Sequence, residues 1–328
     1  MLCYRLRIAN ATAPMRVFTD SEIRSLLQPA EVVGAIEAAF AREYRTTAVM
    51  PVRTRVEVAG RGVLLVMPCY DSAVPGLGTK LVTFFESVAE RAQASYVLLD
   101  PVSGKLRALM AANYLTDVRT AATSAVATRH MARREAKSLG VFGTGRQARS
   151  HIEVMTAVGR FERVLVCGSS AERSQSFAAA MSNELGLAVE PADARTCASQ
   201  SDVICTCTDS STPILEGKWL RPGTHLNLVG AFQPTKREAD SETMRRARVV
   251  VDTYEGALAE AGDLLIPMRE GVISREHVCA DLHEIASGKK AGRISADEIT
   301  VFKNLGCALE DLVAATLACQ KAEQRASA

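Results

Sequence analysis

The chain has 328 residues, enough for two domains with a hydrophobic core each. Its 39 Lys and Arg against 37 Asp and Glu leave a net charge of +2, without the clustered excess that marks nucleic-acid-binding or polybasic membrane-binding proteins. No apolar run approaches the ~18 residues of a membrane span, and Met1-Leu2-Cys3-Tyr4-Arg5 lacks the basic-then-apolar layout of a signal peptide. Nine cysteines without paired spacing point to a reducing, cytoplasmic location.

The first 14 residues read as an extension with little structure, or as a start assigned too early, because strand and helix-cap chemistry begins at Met15-Arg16-Val17-Phe18-Thr19. Thr19-Asp20-Ser21-Glu22 is a capping-box start, and residues 19–45 are expected to be helical with a break near Pro29. Between Val52 and Met110 the texture changes to short strands, at 52–58, 62–67, 81–85, 96–99 and 106–110. Asp100-Pro101-Val102-Ser103-Gly104 forms a turn, and the whole is an antiparallel meander. An Ala-rich helix follows, expected from Arg119 to Ala136.

From Ser138 strands and helices alternate. Strands are expected at 138–143, 163–168, 187–191, 202–208, 225–230 and 248–253, with helices at 146–158, 171–185, 238–247 and 254–261. This is the α/β pattern of a Rossmann-type, doubly wound parallel sheet. The predicted division is an α+β N-terminal domain over residues 1–125 and a doubly wound domain over 126–304. A terminal helix over 305–328 returns to the first domain.

Gly143-Thr144-Gly145-Arg146-Gln147-Ala148 lies at the junction of the first strand and helix of this second half. Read as G-x-G-x-x-A it is a dinucleotide fingerprint. Gly143 permits the tight turn, Gly145 lets the backbone approach a pyrophosphate, and Ala148 lets helix and strand pack closely. The helix N-terminus supplies free N–H groups and a favourable dipole to the anion. Thr144, Arg146, Gln147, Thr206, Val229 and Gly230 are counted with the cofactor contacts. The second strand ends Val166-Cys167-Gly168-Ser169-Ser170, without the acid that binds a ribose 2′-hydroxyl in NAD sites. Ser169, Ser170 and Arg173 lie where a 2′-phosphate would be, so NADPH is the expected cofactor and NADH the alternative. Ser170 also suits a helix cap.

The first domain offers cations. Arg53 and Arg55 fall on one face of a strand, Arg119 opens a helix, and Lys80 stands in Gly78-Thr79-Lys80-Leu81-Val82 beside residues that should be buried. A buried Lys needs a partner, and a substrate carboxylate is the natural one if the protein supplies none. The five His residues make no metal-binding pair, and Cys205-Thr206-Cys207 reads as buried strand rather than a metal site. His151, on the fingerprint helix, reads as structural. A nucleophile elbow and a P-loop are both missing from the sequence.

Five ordered segments resemble the ornithine cyclodeaminase/mu-crystallin family: Thr79–Phe84, Arg119–Ala122, Gly143–Ala148, Pro222–Ala231 and Val301–Gly306. The resemblance implies an N-terminal substrate and dimerisation domain, a Rossmann domain and a helix returning to the first, in a homodimer. It also implies that Arg53, Lys80 and Arg119 hold a substrate carboxylate, with Lys80 and Arg119 at the catalytic centre. Positive neighbours disfavour a protonated imine, so the proton is expected from solvent or from Lys80. Asp263 resembles a recurrent position near the cleft, with a direct or a supporting role.

One departure bears on the reaction. Cyclodeaminases of this family resemble each other in a Gly-Gly-Asp segment whose Asp handles the substrate amine, and Phe232 occupies that position here, in Gly230-Ala231-Phe232-Gln233-Pro234. A phenyl ring neither accepts a proton nor pairs with an ammonium. The segment is more similar to bacterial reductases of cyclic imino acids, which implies NAD(P)H-dependent reduction of 1-pyrroline-2-carboxylate or 1-piperideine-2-carboxylate to L-proline or L-pipecolate. Ornithine cyclodeaminase, alanine dehydrogenase and a non-enzymatic, crystallin-like NADP-binding protein are the alternatives.

Overall fold

The structure is a computed structural model, and it describes residues 15–327 apart from positions 75, 86, 89 and 90. The reading of the first 14 residues lies outside the described part. The first half builds a seven-stranded sheet from β1 (Arg16–Phe18), β2 (Ala48–Val49), β3 (Thr54–Val58), β4 (Gly62–Asp71), β5 (Gly76–Phe85), β6 (Ala92–Leu99) and β7 (Leu106–Ala111). The order is β1-β7-β6-β5-β4-β2, with β3 also on β4; every pairing is antiparallel except β1 with β7. The helices here are α1 (Asp20–Leu26), α2 (Pro29–Ala41), α3 (Tyr44–Thr47) and α4 (Asn113–Met131). Thr19 caps α1 with the full capping box, and Pro29 opens α2 at a position where its missing N–H costs nothing.

The second half is an eight-stranded, all-parallel sheet of β8 (Ser138–Phe142), β9 (Arg163–Cys167), β10 (Val189–Pro191), β11 (Val203–Thr206), β12 (His225–Leu228), β13 (Ala247–Val251), β14 (Val278–Asp281) and β15 (Ile299–Lys303). Its order is β10-β9-β8-β11-β12-β15-β13-β14. The connecting helices are α5 (Arg146–Val158), α6 (Ala171–Leu185), α7 (Ala194–Gln200), α8 (Ser241–Arg246), α9 (Tyr254–Glu260), α10 (Gly262–Arg269) and α11 (Leu282–Ala286). The strand order reverses between β8 and β11, the place where such sheets open a crevice at the carboxyl ends of their strands. The chain's last strand, β15, enters the middle of the sheet, so the exit from β15 lies beside the exit from β13.

A terminal helix, α12 (Ala308–Ser327), packs on α2, α4 and the β4–β6 part of the first sheet. Helix α4 spans the expected boundary at 125–126 and packs on both α2 and α5. It also runs earlier than expected, ending at Met131 rather than Ala136. The Met131 carbonyl accepts from Arg293 Nε (2.6 Å), and Arg133 turns away to Asp202 (2.8 Å). The terminal helix starts at Ala308 rather than Leu305, because Gly306 has φ +75° and residues 304–307 form a turn. Strands β14 and β15 and helices α7, α10 and α11 go beyond the elements expected from the sequence. Among the described residues, no helix is long and apolar enough to cross a membrane.

Candidate active site

Strand alternation decides what Lys80 meets. On β4, β5 and β6 the residues Leu65, Met67, Lys80, Val82, Tyr96 and Leu98 are buried, and α12 covers this part of the sheet. Lys80 is 1% exposed, and its partner is in the protein: its Nζ donates to Asp311 Oδ1 on α12 (2.9 Å). Arg119, on α4, makes ion pairs with the same oxygen through Nε (2.7 Å) and with Glu310 Oε2 through Nη1 (2.8 Å). Burial, together with the charge of Arg119, pulls the Lys80 pKa down to about 8, against the opposing pull of Asp311. For Arg119, burial disfavours the charge, but Asp311 and Glu310 outweigh it and its pKa is raised.

Arg53 stands just before β3 rather than within it. Its Nε pairs with Glu260 Oε2 at the end of α9 (2.9 Å), and its Nη2 donates to the carbonyls of Leu305 (3.0 Å) and Gly306 (2.9 Å). Burial raises the pKa of Glu260 against the pull of Arg53. Arg119 reaches the same turn from the other side, since a Cβ on Gly306 would lie 2.0 Å from Arg119 Nη1. Arg53 and Arg119 thus meet at the turn at 305–306, and Lys80 is joined to Arg119 through Asp311. Neither Arg53 Nη1 nor Arg119 Nη2 makes a hydrogen bond among the described residues. A cavity of about 280 Å³ opens beside Arg53, with Met50, Met67, Asp252, Glu260 and Gly306 in its walls. Lys80 and Arg119 are not part of those walls. Arg55 is placed elsewhere, exposed and paired with Glu57.

The fingerprint sits at the carboxyl end of β8. Gly143 has φ +117°, and a Cβ there would lie 2.6 Å from the Cys207 carbonyl oxygen, so the turn requires glycine. Gly145 precedes the first residue of α5, no side chain caps that helix, and a Cβ on Gly145 would meet nothing within 4 Å. An uncapped N-terminus facing open space fits a pyrophosphate, so the residues present suit a dinucleotide. The Arg146 and Gln147 side chains turn to Asp117, with Arg146 Nε on Oδ2 (2.8 Å) and Gln147 Nε2 on Oδ1 (2.9 Å). At the end of β9, Ser169, Ser170 and Arg173 are exposed. Arg173 Nη1 reaches Ser169 Oγ (3.5 Å), and Ser170 caps α6 through the Arg173 N–H (3.2 Å), so the cap reading of Ser170 holds.

Thr206 is fully buried, and its hydroxyl donates to Glu238 Oε2 (2.7 Å) rather than facing the cleft. Glu238 also accepts from Gly230 N–H on Oε2, and from Thr208 N–H and Oγ1 on Oε1, each at 2.7 Å. It thereby ties the loops after β11 and β12 together, and its pKa is raised by burial and by Asp263. The Glu238 and Ala239 N–H groups in turn donate to Asp263 Oδ1 (2.8 and 3.1 Å), and Asp263 Oδ2 pairs with buried Lys303 (2.9 Å). Asp263 therefore acts from beneath the cleft. Val229 and Gly230 follow β12, both N–H groups donating to the Thr206 carbonyl (3.1 and 3.2 Å). Two residues on, the Phe232 ring lies 5.0 Å from the Phe84 ring, which is on β5 four residues after Lys80. His151 is buried between Ser124 Oγ and the Gln147 carbonyl, with its pKa pulled down to about 4 by burial.

A doubly wound sheet with an open anion cradle, beside a cluster of three cations, is the layout of a dinucleotide-dependent enzyme for small carboxylates. The chain belongs to the ornithine cyclodeaminase/mu-crystallin family, whose model matches residues 14–326. It is 36% identical over 318 residues to a Delta(1)-pyrroline-2-carboxylate reductase of Bacillus cereus, covering 95% of this chain and 98% of the relative. It is 39% identical over 313 residues to the ketimine reductase mu-crystallin of Rattus norvegicus, covering 93% and 96%. Among solved structures it is similar to the Delta(1)-pyrroline-2-carboxylate reductase of Thermococcus litoralis in complex with NADH and L-proline. That match has a TM-score of 0.91 and 38% identity, over 94% of this chain and 98% of the other.

Six residues of this region were not singled out from the sequence: Glu238, Asp252, Glu260, Lys303, Glu310 and Asp311. Two of them carried a local signal, because Glu310 and Asp311 interrupt an otherwise apolar run, Ala308-Leu309-Glu310-Asp311-Leu312-Val313. All six positions of that run are buried.

Proposed function

We propose that the chain is an NAD(P)H-dependent ketimine reductase that converts 1-pyrroline-2-carboxylate or 1-piperideine-2-carboxylate to L-proline or L-pipecolate. The observation that carries this reading is Phe232. An aromatic pair, Phe84 with Phe232, occupies the place where an amine-handling acid would stand, on the strand that carries Lys80. A flat cyclic imine suits such a wall, which has no group to take a proton from an amine or to form a salt bridge with it. The reductases and the ketimine reductase among the relatives support the same reading.

A dinucleotide held in this site would supply the hydride for the imine carbon. The fingerprint helix holds its pyrophosphate. The free Nη1 of Arg53 and Nη2 of Arg119 take the substrate carboxylate, with Lys80 adding a point charge. Each cation is matched by a carboxylate of the protein: Arg53 by Glu260, Lys80 by Asp311, and Arg119 by Glu310 and Asp311. The charge of the three cations is therefore offset, and the site does not repel a protonated imine, the better hydride acceptor. This removes the conflict between a cationic clamp and an iminium substrate, and the proton enters with the substrate or from Lys80.

NADPH is the preferred cofactor in this reading, since Ser169, Ser170 and Arg173 stand exposed where an acid would reject a 2′-phosphate. The protein is a homodimer in this reading as well. The face of the first sheet opposite α12 carries Val17 (65% exposed), Val56 (46%) and Leu109 (36%), and an apolar sheet face calls for a partner. The test is loss of NADPH absorbance across a substrate panel. Oxidation with 1-pyrroline-2-carboxylate but not with pyruvate plus ammonia supports the proposal. Ammonia release from ornithine without added reductant refutes it.

A further inference from the structure

We infer that Asp252 is a positioning residue for the substrate clamp, acting through the turn at Leu305–Gly306 to set where Arg53 and Arg119 stand. The inference rests on the carboxylate clamp described above and concerns a residue that the clamp does not itself include.

The topology brings the parts together. Strands β13 and β15 pair in register, Val251 opposite Lys303, so the residues that leave each strand travel side by side. The Asp252 N–H donates to the Lys303 carbonyl (3.2 Å). Beyond that bond, the Asp252 side chain takes over. Its Oδ2 accepts from the N–H of Leu305 (2.7 Å) and of Gly306 (2.8 Å), and its Oδ1 accepts from the N–H of Thr253 (2.7 Å). The same two turn residues give their carbonyls to Arg53 Nη2. The turn is therefore gripped on its donors by an anion and on its acceptors by a cation, while Arg119 packs directly on the Gly306 Cα. Thr253, the third donor to Asp252, caps α9, and α9 ends in Glu260, the ion partner of Arg53. One buried carboxylate thus orders both sides of Arg53.

The carboxylate is required for a geometric reason. Each of its oxygens faces backbone N–H donors, one on Oδ1 and two on Oδ2. An Asn amide has a single acceptor oxygen, so either way round it points an NH₂ group at a backbone N–H that is left unpaired. Burial and the charge of Glu310 push the Asp252 pKa up to about 7, against the pull of the Thr253 and Leu305 N–H groups and of Arg53. The surroundings of the two oxygens are all donors, so the ionised form is the one that the brace uses.

The test uses the intact enzyme at pH 8. D252N, R53A and the double variant are compared with wild type by KM and kcat for 1-pyrroline-2-carboxylate. NAD(P)H affinity is read by fluorescence titration, and L-proline and pyruvate binding to the NAD(P)H complex by the same signal. D252N is expected to raise KM and weaken carboxylate binding by about tenfold or more, with kcat changed less than about threefold and NAD(P)H affinity unchanged. In the R53A background its effect should shrink to about twofold, because the residue acts through Arg53. An unchanged KM, an equal effect in both backgrounds, or a parallel loss of NAD(P)H affinity overturns the inference. Should D252N fail to fold, G306A displaces the same turn from the Arg119 side and must raise KM at constant NAD(P)H affinity; an unaltered KM there is equally fatal. A wild-type enzyme that binds L-proline or pyruvate but turns over no imino acid refutes the reductase reading alone. One that binds neither refutes the clamp, and this inference with it.

Discussion

Replacing Asp311 by Asn separates the buried ion cluster from everything around it. Asp311 Oδ1 lies 2.9 Å from Lys80 Nζ and 2.7 Å from Arg119 Nε, and all three side chains are at most 5% exposed. The substitution keeps the shape and removes the one negative charge that both cations share, although Glu310 still pairs with Arg119. Breaking a buried pair by neutralising one partner costs about 3–5 kcal/mol, because the remaining charge loses its compensation. Unfolding entropy of about 2 cal/mol/K per residue gives about 0.7 kcal/mol/K for this chain, so the expected fall in Tm is about 4–7 °C. The pH dependence makes the test specific. Lys80 titrates near 8 in the folded protein against about 10.5 when free, so between those values the unfolded chain binds more protons and this residue's contribution to stability rises with pH. Below pH 8 the lysine is charged in both states and that gain is absent. Asp311 is the group that pulls the Lys80 pKa upward, so without it the value falls further and the lysine loses its charge at lower pH. Calorimetry across pH 6–10, with KM for the imino acid measured over the same range, reads both effects. In wild type KM should climb as pH passes about 8; in D311N the climb should begin at lower pH. A Tm within 1 °C of wild type, together with superimposable KM profiles, would refute the account of the cluster.

Three other substitutions probe the cofactor side. Gly145→Ala adds a Cβ that meets no protein atom within 4 Å, so Tm should hold while NAD(P)H affinity falls by about tenfold or more; unchanged affinity in a fluorescence titration would mean that the cradle is not where the pyrophosphate lies. Ser169→Asp places an acid at the end of β9 and should move the ratio of kcat/KM for NADPH over NADH toward NADH, and a constant ratio would remove the 2′-phosphate reading. Glu238→Gln leaves either the Thr208 or the Gly230 N–H facing an NH₂ group, since one donates to each carboxylate oxygen. It should cost about 1–3 kcal/mol in an unfolding titration and loosen NAD(P)H binding, and equal midpoints in denaturant would show that the two loops do not depend on it.

What could be read from the sequence followed from local rules, and what could not came from the order of the strands. The fingerprint, the capping box at Thr19 and the turn at 100–104 are each defined within a few residues, so composition and spacing suffice. Lys80 was conspicuous for the same local reason, a charge in an apolar strand, but its partner lies 231 positions away on the terminal helix. Only the packing of α12 on β5 makes Asp311 its answer, and so the sequence suggested a substrate where the protein had already supplied an anion. The expected domain layout also hid β15. Ile299-Thr300-Val301-Phe302-Lys303 has the β-branched texture of a strand, yet nothing local says that it enters between β12 and β13. That single insertion puts Asp252 beside Leu305–Gly306, brings Lys303 to Asp263, and starts α12 from the cleft with Glu310 and Asp311 in its first turn. The acids of the site come from β13, α9 and α12 and the cations from β5, α4 and the approach to β3. The matching of each clamp cation by a carboxylate is therefore a property of the assembled fold, and it makes an iminium carboxylate, neutral overall, a better fit than a bare anion.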